Sequence, residues 1–258
     1  MRRAGVVALN TFREAVRDRV LYNLVFFALL MIVSAIFVGE ISIGVEEMVI
    51  KSLGLSAISV IGLLIAVFIG VGLVSKEMDK RTLYALLAKP VRRWEFLLGK
   101  FGGLVLTLAV NTLAMAVGLF AALWYVKQHL ESFDAVLLVA IYFILLKLML
   151  VVALALLFSC YSTPLLAILY TTAFYVAGLF VEDMRTFHSA TTGEGASALP
   201  RILSYLLPNF ENFDVMAAAA HGRAIPAALI LQNTAYAAVY CAIVLLIAVA
   251  VFSKRNLK

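Results

Sequence analysis

Along the chain, long apolar stretches alternate with short polar ones. Six stretches approach or exceed the roughly 20 helical residues needed to cross a hydrocarbon core. They are residues 21–38, 53–74, 101–126, 135–159, 163–181 and 224–253. Five contain no charged side chain, and the fourth contains only Lys147. The pattern therefore predicts an all-α, polytopic protein with six transmembrane helices, folded as a single domain over 1–258. The first stretch follows a charged segment and lacks a small-residue cleavage site, so it reads as a retained span rather than a leader. Pro90 falls in a loop and Pro164 opens a helix, as suits spans whose backbone must satisfy itself in lipid.

Ahead of the first span, Val6, Leu9, Phe12, Val16 and Val20 recur at steps of three and four, with Asn10, Arg13, Glu14, Arg17 and Asp18 between them. That spacing predicts an amphipathic elbow helix within residues 1–20, lying on the membrane and running straight into the first span. Two roles are open to it: a basic topological anchor, and a rest for a cytoplasmic partner.

Composition removes the soluble classes. The 258 residues are 64% hydrophobic and 14% charged, against about 45–50% and 25% in a soluble domain. Two cysteines without a C-x-x-C spacing, and three histidines far apart, supply neither a disulfide framework nor a compact metal motif. The net charge is +6, and its distribution bears on topology rather than on nucleic acid. Fifteen Lys and Arg fall in the N-terminus, residues 75–100 and the C-terminus, against five on the opposite side. By the positive-inside rule both termini are cytoplasmic, and residues 182–223 are an external segment.

Residues 75–100 are the richest in pattern. Glu77 and Arg81 form an i,i+4 pair, Leu83, Leu86 and Leu87 an apolar strip, and Lys89-Pro90 a helix stop. A second helix restarts at Val91, with Val91, Trp94, Leu97, Leu98 and Phe101 on one face, and runs through Gly99 and Gly102-Gly103 into the third span. Such a helix–break–helix, apolar on one side and basic on the other, is either a docking surface or a solvated topological loop.

The run Glu77-x-x-x-Arg81-Thr82-Leu83-x-x-Leu86-Leu87-Ala88-x-Pro90-Val91-x-Arg93-x-Glu95-x-x-Leu98-Gly99-Lys100 resembles the type-2 ABC permease family. Arg81 departs from the glycine usual before Thr-Leu. The resemblance implies a half-transporter: a six-span chain paired with a second copy or a sister chain, and joined to two copies of a separate ABC ATPase subunit. It implies a coupling helix in which Glu77, Arg81, Thr82, Leu83, Leu86 and Leu87 face the ATPase. Pro90 and Arg93 would set its break, Gly99 and Lys100 would lead back into lipid, and the inner turn 160–163 would add a smaller contact. It also implies an exporter in a bacterial inner membrane. ATP and Mg would be bound by the partner, with no cofactor in this chain. The chain carries no G-x-x-x-x-G-K-[S/T], because Gly99-Lys100 is followed by Phe101 and Trp94 occupies the position of the first glycine.

In the external segment, Leu203, Tyr205, Leu206, Phe210 and Phe213 read either as a gate lid carried on re-entrant helices or as interfacial aromatic anchors. Met184, His188, Met216 and His221 offer soft ligands that suit copper, as some permeases of the family would require, but at irregular spacing that assigns no metal. Lys147, near mid-membrane, must face protein or water; it either lines a pathway or pairs with a polar group such as Asn111. An ATP-independent transporter or channel is the alternative; it needs broken or polar helices at mid-membrane and often an internal repeat, and none is visible between the two halves. A membrane-embedded enzyme would need paired intramembrane carboxylates or a Ser–His pair, and these are lacking.

Overall fold

The computed structural model describes residues 2–42, 44–79, 92–127, 135–183 and 207–254. Every regular element among them is helical: α1 (Arg2–Val16), α2 (Arg19–Ile41), α3 (Glu46–Asp79), α4 (Arg93–Lys127), α5 (Ala135–Ser159), α6 (Pro164–Leu179), a 3-10 turn (Glu211–Phe213), α7 (Met216–Ala220) and α8 (Ala227–Lys254). Five of them, α2, α3, α4, α5 and α8, are long and apolar enough to cross a membrane. Where the fifth span is predicted the structure has α6, 16 residues long, or about 24 Å at 1.5 Å per residue, shorter than those five. A turn at Phe180 ends it, followed by a further helical stretch at 181–183.

Helix α5 is the hub. Seventeen of its 25 residues are buried, and it contacts α3, α4, α6 and α8. A helix apolar all round has no face to offer water, so it belongs inside the bundle. Helix α2 is the opposite case: its buried residues are Leu21, Ala28, Ile32, Ala35 and Gly39, a single stripe, while Phe26, Phe27, Leu30 and Phe37 are exposed. That exposed face is what lipid would cover. Glycines bring the helices close. Leu148 of α5 sits where a side chain at Gly62 would go, at 2.6 Å from the position of its Cβ. Leu29 of α2 stands likewise 2.5 Å from a Cβ at Gly118. Between α2 and α3 the chain turns at Gly44, whose φ of +86° strains any residue with a Cβ.

One expectation needs correction at the N-terminus. The amphipathic helix does not run straight into the first span. It stops at Val16, and Asp18 starts a new helix by accepting a hydrogen bond from the Val20 amide at 3.0 Å. The apolar stripe leaves Val6 and Leu9 facing outward, 69% and 46% exposed. The buried face is instead Thr11 and Ala15, with Val7 and Ala8 partly covered, laid along the start of α4. Small side chains win this face because the partner surface is glycine, and two backbones can then approach closely.

Candidate functional site

The bundle has two chemically distinct ends. At the basic end, α1, the start of α4, the turn 160–163 and the end of α8 converge. Phe96, Leu97, Cys160, Ala248 and Phe252 form a separate small core there, with Val7 packed against it. Arg92 precedes α4, and Glu95 reaches back to accept its amide at 3.0 Å, half of a capping box. Arg93 opens α4 and donates through one guanidinium nitrogen to the carbonyls of Phe252 at 2.9 Å and Ser253 at 2.7 Å. Its guanidinium carbon lies 5.9 Å from the Phe252 ring centre, and that ring stacks on Phe96 at 6.1 Å. The last carbonyls of α8 have no partner within their own helix, so Arg93 satisfies them and complements the negative helix end.

Gly99 and Gly103 are the seat of α1. A Cβ on Gly99 would fall 2.6 Å from the Val7 Cβ, and one on Gly103 would fall 2.5 Å from the Ala8 carbonyl oxygen. Between them Lys100 is buried, its ammonium 3.7 Å from a Glu14 carboxylate oxygen and 5.9 Å from the Phe96 ring centre. Gly99 and Lys100 thus meet α1 directly. The predicted apolar face of this helix is divided. Leu97 is buried, whereas Trp94 and Leu98 are exposed. The side chain of Glu77, and Arg81, Thr82, Leu83, Leu86, Leu87 and Pro90, lie outside the described residues. At the turn, Tyr161 is half exposed, and its phenol is pushed above its ordinary pKa, first by burial and then by Tyr170.

At the acidic end, residues 207–222 fold into the bundle rather than over it. Phe210 and Phe213 are fully buried. The Phe210 amide donates to the Gly178 carbonyl at 3.2 Å, and its ring lies 5.0 Å from Tyr175. Phe213 touches Phe143 of α5 and Tyr236 of α8 at 6.4 and 6.0 Å. Asn209, 2% exposed, organises the segment. Its amide nitrogen donates to Glu182 at 3.1 Å, and its carbonyl oxygen accepts from the Glu211 amide at 3.1 Å. Its backbone amide donates to the Tyr236 hydroxyl at 3.1 Å, and Asn233 donates to the Asn212 carbonyl at 2.9 Å. Beside the segment, a cleft of about 470 Å³ is lined by Gly44–Met48, Lys51 and Ala220–Gly222. Met216 is partly buried and His221 exposed. Leu203, Tyr205, Leu206, Met184 and His188 lie outside the described residues.

Two polar groups sit within the spans. Lys147, 3% exposed, donates to Ser59 of α3 at 2.8 Å. Asn111 donates to the Thr107 carbonyl one turn back on its own helix. The structure therefore does not bring together Lys147 and Asn111. Reading the sequence missed Ser59, Asn209, Asn233 and Tyr236. Asn233 carried a usable signal, since an amide inside an apolar span needs a partner.

A helical bundle with five helices long and apolar enough to cross a membrane, a basic end, and an acidic end with an inserted segment defines a multi-pass membrane protein. The family described as ABC-2 family transporter protein matches residues 6–257, and the chain belongs to it: it is a permease membrane subunit of that family, not itself the ATPase. No curated protein matches the chain.

Proposed function

We propose that this chain is the permease subunit of an ATP-driven exporter, coupled at its basic end to separate nucleotide-binding subunits that hold ATP and Mg. The observation that carries the reading is the family match over 6–257. The charge asymmetry supports cytoplasmic termini and, in a bacterium, an inner-membrane location. On this reading α6 is the fifth of six spans. The cytoplasmic loop 75–100 carries the coupling helix, with Glu77, Arg81, Thr82, Leu83, Leu86 and Leu87 toward the ATPase. The complex would hold two ATPase subunits and two membrane chains, identical or sister.

Coupling would work through packed, discrete elements. Closure of the ATPases on ATP displaces the short helices at the basic end, and spans that pack on glycine and leucine transmit that displacement as rigid bodies. The inserted segment at residues 207–222, with Phe210 and Phe213 wedged between α5, α6 and α8, would be the external gate. The test is a mild-detergent purification of the tagged protein from its host. An ABC ATPase eluting in equal amount is the expected result. Reproducible absence of any ATPase with the chain intact would refute the reading in favour of an ATP-independent transporter.

A further inference from the structure

Helix α8 is held at both ends and unbroken between them. Its 28 residues contain neither glycine nor proline, the usual causes of a kink. At its basic end Arg93 grips the carbonyls of Phe252 and Ser253 while Phe96 stacks on Phe252. A planar guanidinium on a phenyl ring, hydrogen-bonded to two successive carbonyls, fixes direction as well as distance. At the acidic end the same helix carries the inserted segment: Asn233 holds the Asn212 carbonyl, and the Tyr236 hydroxyl takes the Asn209 amide. Tyr236 also backs Phe213. From Asn233 to Phe252 is about 28 Å along a helix axis. Between those points Tyr142 of α5 reaches Thr234 at 2.9 Å, near the acidic end. Further along, Ala237, Cys241, Val244, Leu245 and Ala248 of α8 are buried in the apolar core, and packed helices can shift past one another by small sliding movements.

We propose that α8 is the transmission rod of the transporter, and that Arg93 is the positioning residue that drives it. Movement of the α4 start pulls or turns the carbonyl end of α8, and Asn233 and Tyr236 deliver that motion to residues 209–213 without passing through the hub helix α5. The inference rests on the coupling reading above, since it requires an ATPase at the basic end. It adds a route and the residues that form it. Lys147 and Ser59, which tie α3 to α5, would lie off the route.

The experiment uses the permease–ATPase complex carrying Glu211→Cys, a position exposed beside the gate. Both native cysteines are buried, so a membrane-impermeant maleimide reports on position 211. Labelling is followed with and without ATP, Mg and vanadate. The rod predicts a several-fold change in labelling rate on nucleotide trapping. Arg93→Met abolishes that change while the ATPase stays bound and hydrolyses ATP, and Arg93→Lys, which keeps the charge but not the planar fork, restores part of it. Should Arg93→Met shed the ATPase, the pair Asn233→Leu with Tyr236→Phe decides, because it cuts the other end and leaves the ATPase surface untouched. Failure of any ATPase to co-purify with the parent overturns the functional reading itself. With the ATPase bound, a parent that ignores nucleotide, or cut variants that respond like the parent, would overturn the rod alone.

Discussion

The contact between α1 and α4 yields a quantitative contrast between two adjacent glycines. A methyl added at Gly103 would lie 2.5 Å from the Ala8 carbonyl oxygen and 2.6 Å from the Thr11 Cβ. The first is backbone and cannot rotate away, so α1 would have to withdraw by about 1 Å to restore ordinary contact. Overpacking of this kind costs about 1–3 kcal/mol, and replacing a helical glycine returns about 1 kcal/mol. The net is a loss of up to about 2 kcal/mol for Gly103→Ala, before counting the Lys100–Glu14 contact that withdrawal would stretch. At Gly102 the same methyl would meet the Ala8 Cβ at 3.7 Å, an ordinary contact. Gly102→Ala should therefore be neutral or stabilising by up to about 1 kcal/mol. Both cysteines are buried, so a thiol-reactive fluorophore reports unfolding directly in detergent. For a chain of this size each kcal/mol moves the midpoint by about 2–4 °C, which separates the two variants by several degrees. If Gly102→Ala and Gly103→Ala melt together, the two helices do not pack through the glycines as described.

Three further outcomes follow from other contacts. Gly178→Ala would place a methyl 2.5 Å from the Pro208 carbonyl oxygen; residues 208–210 should lift, seen as faster maleimide labelling at Glu211→Cys, and an unchanged rate would mean the segment is seated elsewhere. Ser59→Ala removes the hydroxyl that takes the Lys147 ammonium and should cost about 1–3 kcal/mol; with Lys147→Met already in place the same change should cost little, and strict additivity of the two in thermal unfolding would show that they do not interact. Leu86→Glu, and independently Glu77→Arg, should release the ATPase on purification while the chain still inserts in the membrane; retained association at equal amount would remove those residues from the coupling surface.

How much of this was legible beforehand differs by element. The α5 span was readable residue for residue, because 135–159 is apolar on all sides and flanked by polar chain. The restart of helix after Pro90 and its continuation through the glycines into the third span were also readable, since nothing between 93 and 127 breaks a helix. What failed were questions of partner. The apolar stripe of Val6 and Leu9 was legible, but not that the other face of α1 docks by Ala8, Thr11 and Ala15, because the deciding shape belongs to Gly99 and Gly103 on another helix. Lys147 was recognisable as needing a partner, but Ser59 lies 88 residues away, and no periodicity encodes that pairing. Arg93 was visible within a motif, whereas its role as a cap on α8, 159 residues downstream, is a matter of how the helices return to one end.

The shortness of α6 has a consequence for the surrounding bilayer. On the six-span reading its 16 residues would present an apolar length of about 24 Å to a hydrocarbon core of about 30 Å. Leu165, Leu166, Leu169, Tyr170 and Val176 are exposed along it, so the shortfall falls on lipid rather than on protein. Thinning the adjacent leaflets to meet such a helix costs fractions of a kcal/mol for each ångström. Acyl-chain length thereby becomes a variable that acts on Gly178 and Phe210, at the very place where the inserted segment is fastened. On that reading a membrane of shorter chains would relieve the deformation and a thicker one increase it, so that the lipid itself would set part of the resting position of the acidic end.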